Sequence, residues 1–251
     1  MPSWTDDGFV ISARLHGESN AVIGLFTAQH GRHMGLVHGG ISKSKKALIE
    51  TGNFVSATWQ ARLDEQLGTY QLELNRSYGA SMLDDPVKLA ALGSVCALLE
   101  QALPEREPQE AIFAATSALF EVFYLSSDIE QWLPVYLRWE LGMLEALGFG
   151  LELSRCAVSG ETGRLAFVSP RTGHAVQEIH AGPYKERLIA LPKCLGGEAA
   201  LEDELAKGLH LTGHFLQKQI FALVHKDLPD ARIRLAYLVG SRYKKTVDDS
   251  D

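Results

Sequence analysis

Short apolar runs separated by Gly-rich or polar turns characterise the first eighty residues of the chain. The runs are rich in β-branched and aromatic residues, a composition typical of strands. Five strands are predicted, at residues 9–15, 21–28, 33–39, 53–63 and 68–75. An open sheet of this size would leave bare edges, so the segment is predicted to close into a small barrel. Gly31, in the turn QHGRH, is available for a positive φ.

Helical spacing of apolar residues replaces this pattern from residue 84 onward. Asp84 or Asp85 can cap a helix that has Pro86 in its first turn and ends before Pro104. Strand-like pieces and turns return at residues 151–179. The other predicted helices lie at about 107–125, 129–147, 184–191, 199–225 and 230–243.

The composition is that of a globular protein, with 251 residues, 46% hydrophobic and 22% charged, and a net charge of -7. No apolar run approaches the roughly 20 residues that span a bilayer, and no basic segment precedes an apolar stretch at the start. Cys96, Cys156 and Cys194 are too widely spaced for a disulfide framework. We therefore expect a cytoplasmic protein without membrane contact. Net acidity disfavours a whole-surface attraction to nucleic acid, although local patches decide such binding.

A cluster of cationic residues between positions 14 and 62 stands out from this acidic background. Six Lys or Arg accompany only two Glu there; the six are Arg14, Arg32, Lys43, Lys45, Lys46 and Arg62. The stretch HGGISKSKK does not match a phosphate-binding P-loop, which requires Gly directly before Lys-Ser. A basic segment on a small barrel predicts a groove for a polyanion, bound through its phosphates without base reading. A merely solvated, flexible loop is the alternative interpretation.

Candidate metal-binding and catalytic residues are few. The pairs His30–His33 and His210–His214 have ligand-like spacing, but the second lacks the Glu of a zinc protease. We interpret both pairs as structural or surface histidines, with a metal hydrolase as the alternative. Cys156 is followed by Ser159 where a zinc knuckle has a second Cys. No nucleophile–base pair is recognisable, so we predict no catalytic residue, no metal, no cofactor and no small-molecule substrate.

A further cationic position interrupts the leucine-rich helix predicted at 129–147. Arg138 is followed there by Trp139 and Glu140. A cation beside aromatic and aliphatic side chains could receive a short acidic peptide that ends in an aromatic residue. The polar face of an amphipathic helix is the alternative interpretation.

The order of these parts and several strings resemble one family, the bacterial recombination mediator RecO. The strings are FVISARLHGESNAVIGLFTAQHGRHMGLVHGG, SKSKKALIETGNFV, LRWELGMLEALGFGLELSRCAVSGE and AFVSPRTGHAV, and the resemblance covers essentially the whole chain. It implies an α+β fold, with an N-terminal OB-fold β-barrel that binds DNA at 1–80. A mainly α-helical domain at 81–251 would carry a small zinc-finger-like β insert at about 151–183. Many members have cysteine pairs in that insert; only Cys156 persists here, so the resemblance does not imply zinc.

The resemblance also implies a function without enzymatic turnover. Members bind single- and double-stranded DNA, anneal strands, associate with RecR and dock onto the C-terminal tail of single-stranded-DNA-binding protein. The outcome is RecA loading in recombinational repair by a cytoplasmic, nucleoid-associated protein. A protein–protein adaptor that acts through the helical domain, with little direct DNA binding, is the alternative.

Individual residues acquire implied roles from the matching strings. Lys43, Lys45 and Lys46 match the family's basic loop, whose implied role is phosphate contact, and Arg14 and Arg32 flank it. We add Arg62 as a DNA-binding candidate because it belongs to the same cationic cluster. In the helical domain three positions match the implied site for the tail peptide: Arg138 would bind its carboxylates, and Leu141 and Leu144 would line the pocket for its terminal aromatic group.

Overall fold

A computed structural model describes residues 1–40, 42–199 and 201–248, and the side chains of residues 43, 44 and 243–248 lie outside this description. The chain divides into two compact units. The first contains Met1–Tyr124 and Pro229–Arg232, and the second contains Leu125–Leu228 and the described residues from Ile233 onward. Both helices and strands are well represented, which confirms the predicted α+β class.

Five strands close into a barrel in the first unit. They are β1 (Ser3–His16), β2 (Asn20–Thr27), β3 (Gly31–Val37), β4 (Asn53–Gln60) and β5 (Thr69–Ser77). Their order is β1-β2-β3-β5-β4, with antiparallel pairing of β1 and β4 closing the barrel. A six-residue helix, α1 (Lys43–Leu48), lies between β3 and β4. The predicted barrel is confirmed, and this five-stranded order is that of an OB-fold.

Alternating burial explains why these residues form a barrel. Along β4, Val55, Ala57 and Trp59 are buried while Ser56 and Thr58 are more exposed, the period-two pattern of a strand with one face on a core. Ten side chains fill the interior: Val10, Ala21, Ile23, Leu25, Val37, Ile49, Val55, Ala57, Trp59 and Tyr70. Closure buries this inner face, with the seam between β3 and β5 joined by the single pair Leu36–Thr69.

Helices cover the outer side of the middle of β1, which explains why consecutive residues 8–12 are all buried. These helices are α2 (Pro86–Ala102) and α3 (Glu110–Leu125). The ring of Phe9 packs at a centroid distance of 4.7 Å from that of Phe120 and 5.7 Å from that of Phe113. The outward-facing ring of Phe9 thus forms a second core with the aromatic rings of α3.

The start of α2 follows the predicted capping pattern. Asp85 is the N-cap, and its carboxylate accepts hydrogen bonds from the backbone N–H groups of Val87 and Lys88, each at 3.0 Å. Pro86 occupies the first turn, where its missing N–H costs nothing. Of the two candidate caps in the sequence, the structure selects Asp85.

The second unit combines helices with a small sheet. The helices are α4 (Ile129–Ala146), α5 (Glu178–Ala181), α6 (Glu204–Leu216) and α7 (Asp230–Asp248), of which α7 begins in the first unit. The sheet has the order β6-β8-β7-β9, with strands β6 (Glu152–Cys156), β7 (Leu165–Val168), β8 (His174–Gln177) and β9 (Ile189–Ala190). None of the helices in the described ranges has the length and apolar character needed to cross a bilayer.

Two predicted helices of this unit have different bounds in the structure. Within the segment predicted as one helix over 199–225, residue 200 lies outside the described residues, and the α-helix runs from Glu204 to Leu216. It continues as a π-helix at Gln217–Phe221 and a 3-10 helix at Ala222–Val224. Periodicity missed this because the three helix types differ by only one residue in their hydrogen-bond spacing from one type to the next. The segment predicted as a helix at 184–191 is a 3-10 turn at Gly182–Arg187 followed by β9.

Hydrogen bonds hold the insert together around Cys156. The backbone N–H groups of Val158 and Gln177 lie 3.5 and 3.4 Å from its Sγ. Burial of the thiol opposes ionisation, but the N–H donors of Gln177, Ser159 and Val158 outweigh it and lower the pKa of Cys156. The Ser159 hydroxyl donates to Gln177 Oε1 at 2.8 Å, and Gln177 Nε2 donates to the Gly163 carbonyl at 2.6 Å. A hydroxyl and an amide that bind each other do not fit zinc, which takes thiolates and imidazoles.

The packing of α2 and α3 affects where the chain divides. Both helices belong to the compact unit of the barrel up to Tyr124. Helix α2 packs on β1, and α3 contacts the same strand through the rings of Phe113 and Phe120. The predicted division into 1–80 and 81–251 follows the change of sequence pattern instead, and it stays a prediction.

Candidate nucleic-acid interface

The basic stretch after β3 forms the short helix α1. The Asn53 side chain, fully buried at the start of β4, donates to the carbonyls of Ala47 and Leu48 at 2.7 and 3.1 Å. These bonds satisfy carbonyls at the C-terminal end of α1 and anchor the helix to the barrel. The sequence predicted a loop here because six residues are too few to show a helical period.

Lys45 and Lys46 are exposed on α1. The Lys45 ammonium donates to the His38 carbonyl at 2.7 Å, which places it over the chain that leaves β3. Lys43 is the first residue of α1, but its side chain lies outside the described part of the chain. Two of the three predicted loop lysines therefore present their charge on the barrel surface.

Arg14 and Lys46 line the same surface cavity. This cavity, of about 500 Å³, lies between the end of β1, the start of β2 and α1. Its walls are mostly apolar, from residues such as Leu15, Ala21 and Ile49, and Glu50 also borders it. The side chain of Arg14 is 72% exposed, although its guanidinium donates to Glu100 on α2 at 2.7 Å. The Glu100 side chain is only 17% exposed, so this pair offsets part of the Arg14 charge, while the exposed part of the guanidinium can still meet a phosphate.

Arg32 lies away from this cavity, and its guanidinium is engaged in hydrogen bonds within the protein. Arg14 is level with Val22 and Leu36 across the sheet, and Arg32 is four residues from Leu36, or roughly 13 Å along the strand. Its side chain is only 16% exposed, and it donates to the Leu103 carbonyl at 2.8 Å and to Glu105 at 3.2 Å. Its charge serves mainly to tie the barrel to the segment between α2 and α3.

Arg62 also lies away from α1. It is exposed in the connection after β4, where Gln60 pairs with Ser3 at the beginning of β1, whereas Arg14 is near the end of that strand. The predicted DNA-binding residues thus form one group of Arg14, Lys45 and Lys46, with Arg32 and Arg62 apart from it.

A second cavity lies beside an aromatic cluster that the sequence reasoning missed. This cavity of about 250 Å³ is lined by Trp4, Gln29, His30, His33, Trp59, Asp64, Arg106 and Pro108, and we call it the aromatic pocket. Trp4 and Trp59 are paired across β1 and β4. The sequence placed Trp4 outside any strand because Asp6 and Asp7 interrupt the apolar pattern. Trp4 and Trp59 are 55 positions apart in the sequence, so no local pattern links them.

The two histidines with ligand-like spacing belong to this pocket. His30 Nδ1 lies 3.1 Å from Asp6 Oδ2, and His33 Nδ1 lies 3.0 Å from the Tyr70 hydroxyl. Burial, with a smaller contribution from the Arg106 charge, lowers the pKa of His33 to about 4, so this imidazole is neutral near pH 7. Among the described residues, no three His, Cys, Asp or Glu side chains come together as metal ligands.

The three residues predicted to bind a peptide all lie on α4 in the second unit, but they differ in how far they are buried. Arg138 is exposed and its Nε donates to the Cys194 carbonyl at 3.1 Å. Leu141 is half-buried, whereas Leu144 is fully buried. Leu144 therefore has no surface to offer an incoming peptide, and its predicted role is corrected: it is a core residue. Periodicity alone did not distinguish the rim of the helix from its buried face.

Trp139 and Glu140, which follow Arg138, point to the interior instead. Glu140 is fully buried and accepts hydrogen bonds from the hydroxyls of Tyr136 at 2.7 Å and Thr212 at 2.5 Å. Thr212 lies on α6, so this carboxylate joins two helices of the unit. Within the Arg-Trp-Glu string, only Arg138 is available at the surface.

The first unit contains a closed OB-type barrel with cations on its β3–β4 connection, and the second is a helical unit with a small β insert. These features define a class of proteins that combine an OB-type barrel with a helical domain. Residues 1–78 match the family model described as Recombination protein O N terminal, and residues 83–228 match that described as Recombination protein O C terminal. The chain belongs to the RecO family.

Relatives with the name DNA repair protein RecO match nearly end to end. The protein from Rhodospirillum centenum is 51% identical over 245 residues, covering 96% of this chain and 95% of the relative. A protein from Cereibacter sphaeroides is 45% identical over 242 residues, covering 96% and 99%. The protein from Rhodospirillum rubrum is 44% identical over 239 residues, covering 93% and 95%.

Proposed function

We propose that this chain is a non-enzymatic mediator of recombinational DNA repair. It binds single- and double-stranded DNA on its barrel, anneals strands, and helps RecA load onto DNA coated by single-stranded-DNA-binding protein. Membership of the RecO family supports the repair role. The observation that carries the DNA-binding part is the shared cavity of Arg14 and Lys46, with Lys45 exposed on the same helix.

The geometry favours phosphate binding over base reading at this place. An ammonium group is a mobile point charge without a fixed hydrogen-bonding plane, so it suits contacts with phosphates, which carry no sequence information. The binding is therefore governed by counterion release and weakens as salt rises. A local group of cations can achieve this on a chain of net charge -7, because screening limits the repulsion from carboxylates more than a Debye length away, about 8 Å.

The test is a salt titration of binding to a fluorescent single-stranded oligonucleotide. The double variant Lys45→Ala/Lys46→Ala should weaken binding and reduce the log–log salt slope by up to about 1.4, since each lost single-strand phosphate contact contributes about 0.7. The control Lys185→Ala/Lys226→Ala removes the same charge from exposed positions in the second unit and should leave the slope unchanged. An unaltered slope in the first variant would refute the assignment.

We further propose Arg138 as a contact for the acidic C-terminal tail of single-stranded-DNA-binding protein, with Leu141 at its side. The exposed guanidinium supports this role, since arginine binds carboxylates in a bidentate manner. RecR is a proposed partner on family grounds alone. Tail-peptide binding that survives Arg138→Ala would contradict the assignment.

An adaptor that acts only through the second unit is the competing proposal, and the exposed Arg138 favours it equally. It predicts tight binding of the tail peptide together with no measurable DNA affinity. Running the salt titration with and without the peptide separates the two proposals, because only the mediator has an oligonucleotide affinity to titrate.

A further inference from the structure

Stacked rings form one side of the aromatic pocket. Trp4 and His30 stack at a centroid distance of 4.0 Å with an interplanar angle of 9°, and Trp4 and Trp59 stack at 5.8 Å and 20°. His33 and Tyr70 meet Trp4 edge-on. Trp59 and Tyr70 are buried, but Trp4 is half-buried and the His30 side chain is 29% exposed. The cluster therefore starts in the barrel core and reaches the surface.

The cavity beside these rings has the character of a site for one flat polar ring. Its volume of about 250 Å³ is below the roughly 300 Å³ at which sites for drug-sized ligands begin. Aromatic rings supply stacking surfaces, while Gln29, Asp64 and Arg106 supply donors and acceptors around them. Single-stranded nucleic acids are bound in this way, by stacking of an exposed base and hydrogen bonds to its edge.

Arg106 is held at the edge of this pocket in an unusual backbone conformation. It has a φ of 60°, in the left-handed region that residues with a side chain rarely adopt. Its backbone N–H donates to the Arg32 carbonyl at 2.8 Å, and its guanidinium donates to the carbonyls of Asp64 and Gln66. These bonds hold the guanidinium carbon 6.0 Å from the Trp59 ring.

The charge of Arg106, beside the Asp64 carboxylate that also lines the pocket, bears on which ligand fits. Aromatic cages with carboxylates commonly bind organic cations, but a fixed guanidinium at the rim repels them. The same cation favours a strand whose base enters the pocket, because each base brings a phosphate with it. The aromatic pocket and the cavity of Arg14 and Lys46 share no lining residue, so they are separate places on the barrel.

We propose that the aromatic pocket receives one unstacked nucleobase of single-stranded DNA, an assignment that rests on the proposed DNA-binding function. The base stacks on the Trp4–His30 pair, and Arg106 faces the accompanying backbone. A duplex does not enter, since its bases remain stacked on each other. The pocket thus gives the barrel a preference for single strands that cationic side chains alone do not provide.

The test compares a short oligothymidylate with an abasic oligonucleotide of equal length, which has the same phosphates but no bases. The intact protein should bind the oligothymidylate about fivefold or more tightly, the lower end of the stacking range for one base. His30→Ala and Trp4→Leu should remove most of this preference. His174→Ala, which changes an exposed histidine of the second unit, should retain it.

Tryptophan fluorescence provides an independent readout. Trp4 and Trp59 line the pocket, whereas Trp132 and Trp139 are buried in the second unit. A base in the pocket should therefore quench the emission of Trp4 and Trp59 and leave that of the other two. Oligothymidylate should quench, and neither the abasic strand nor a duplex should. Trp4→Phe should lose the Trp4 part of the quenching but keep part of the affinity preference, because phenylalanine still stacks.

Equal affinity for the two strands, or a preference that His30→Ala and Trp4→Leu leave unchanged, would overturn the pocket assignment and leave the proposed function standing. Should Trp4→Leu not fold, His30→Ala decides the matter alone. The opposite pattern, in which neither strand binds, would overturn the proposed function and this inference with it.

Discussion

Replacement of Gly31 by alanine should destabilise the first unit through two separable effects. Gly31 has a φ of 62° in the turn between β2 and β3, as its place in QHGRH predicted. A side chain in this region costs roughly 1–2 kcal/mol. The new Cβ would also lie 2.5 Å from the carbonyl carbon of Glu107 and nearer still to its oxygen. These are backbone atoms, so the chain at Glu107 must move, and overpacking of this kind costs about 1–3 kcal/mol.

The expected total for Gly31→Ala is about 2–5 kcal/mol of unfolding free energy. Gly17→Ala is a matched control, because Gly17 has a φ of 64° in the preceding hairpin and a Cβ added there would meet no atom within 4 Å. The control should lose only the conformational part, roughly 1–2 kcal/mol.

Urea unfolding followed by circular dichroism measures both variants against the unaltered protein, with the transition of the first unit resolved if the two units melt separately. The difference between the variants isolates the contact between Gly31 and Glu107. If the two substitutions cost the same within about 0.5 kcal/mol, the segment at Glu107 is not held against the turn and the reasoning is wrong.

Two further predictions concern capping and pH. Asp85→Ala removes the acceptor of two N–H groups at the start of α2 and should cost about 1 kcal/mol in thermal or urea unfolding. The neighbouring Asp84 is exposed, so the stability of Asp84→Ala should stay within about 0.5 kcal/mol of that of the unaltered protein. The pKa of His33 is about 4 in the folded chain, against an ordinary histidine value of 6.5. Between these two pKa values the unfolded chain binds a proton at His33 that the folded chain does not bind. The free energy of unfolding is therefore at its full value above pH 6.5 and falls as pH drops toward 4. Without solvent screening, this pKa shift would correspond to a loss of about 3 kcal/mol of unfolding free energy. We expect a loss of roughly 1–2 kcal/mol because the pocket admits solvent. The check is to measure the unfolding free energies of the unaltered protein and of His33→Asn at about pH 7 and about pH 4.5. If the difference between the two proteins is the same at both pH values, the prediction is contradicted.

Much of the barrel followed from local patterns. The predicted strand at 53–63 is observed as Asn53–Gln60, and that at 68–75 as Thr69–Ser77. The predicted strand at 9–15 is observed from Ser3 to His16. Its first six residues were not predicted as part of a strand because Asp6 and Asp7 are polar. Backbone pairing with β4 does not depend on side-chain polarity.

The candidate site was less predictable. The cationic cluster was visible in the sequence, but its division into Arg14, Lys45 and Lys46 on one side and Arg32 and Arg62 elsewhere was not. An ion pair such as Arg14–Glu100 joins residues 86 positions apart, and no local pattern announces it. The aromatic pocket draws on residues from 4 to 108 and has no continuous sequence signature at all.

Taken by itself, the amino-acid sequence determined the properties that neighbouring residues decide together. Strand and helix periodicity, the cap before Pro86 and the left-handed glycine of the β2–β3 turn all depend on a few adjacent positions, as does the family resemblance carried by contiguous strings. Tertiary structure decided which charges meet, that Leu144 is buried, and that two tryptophans and two histidines border one cavity. The physical reason is that burial and ion pairing depend on which distant surfaces come into contact when the barrel closes and its helices pack, and local backbone preferences carry no information on that contact.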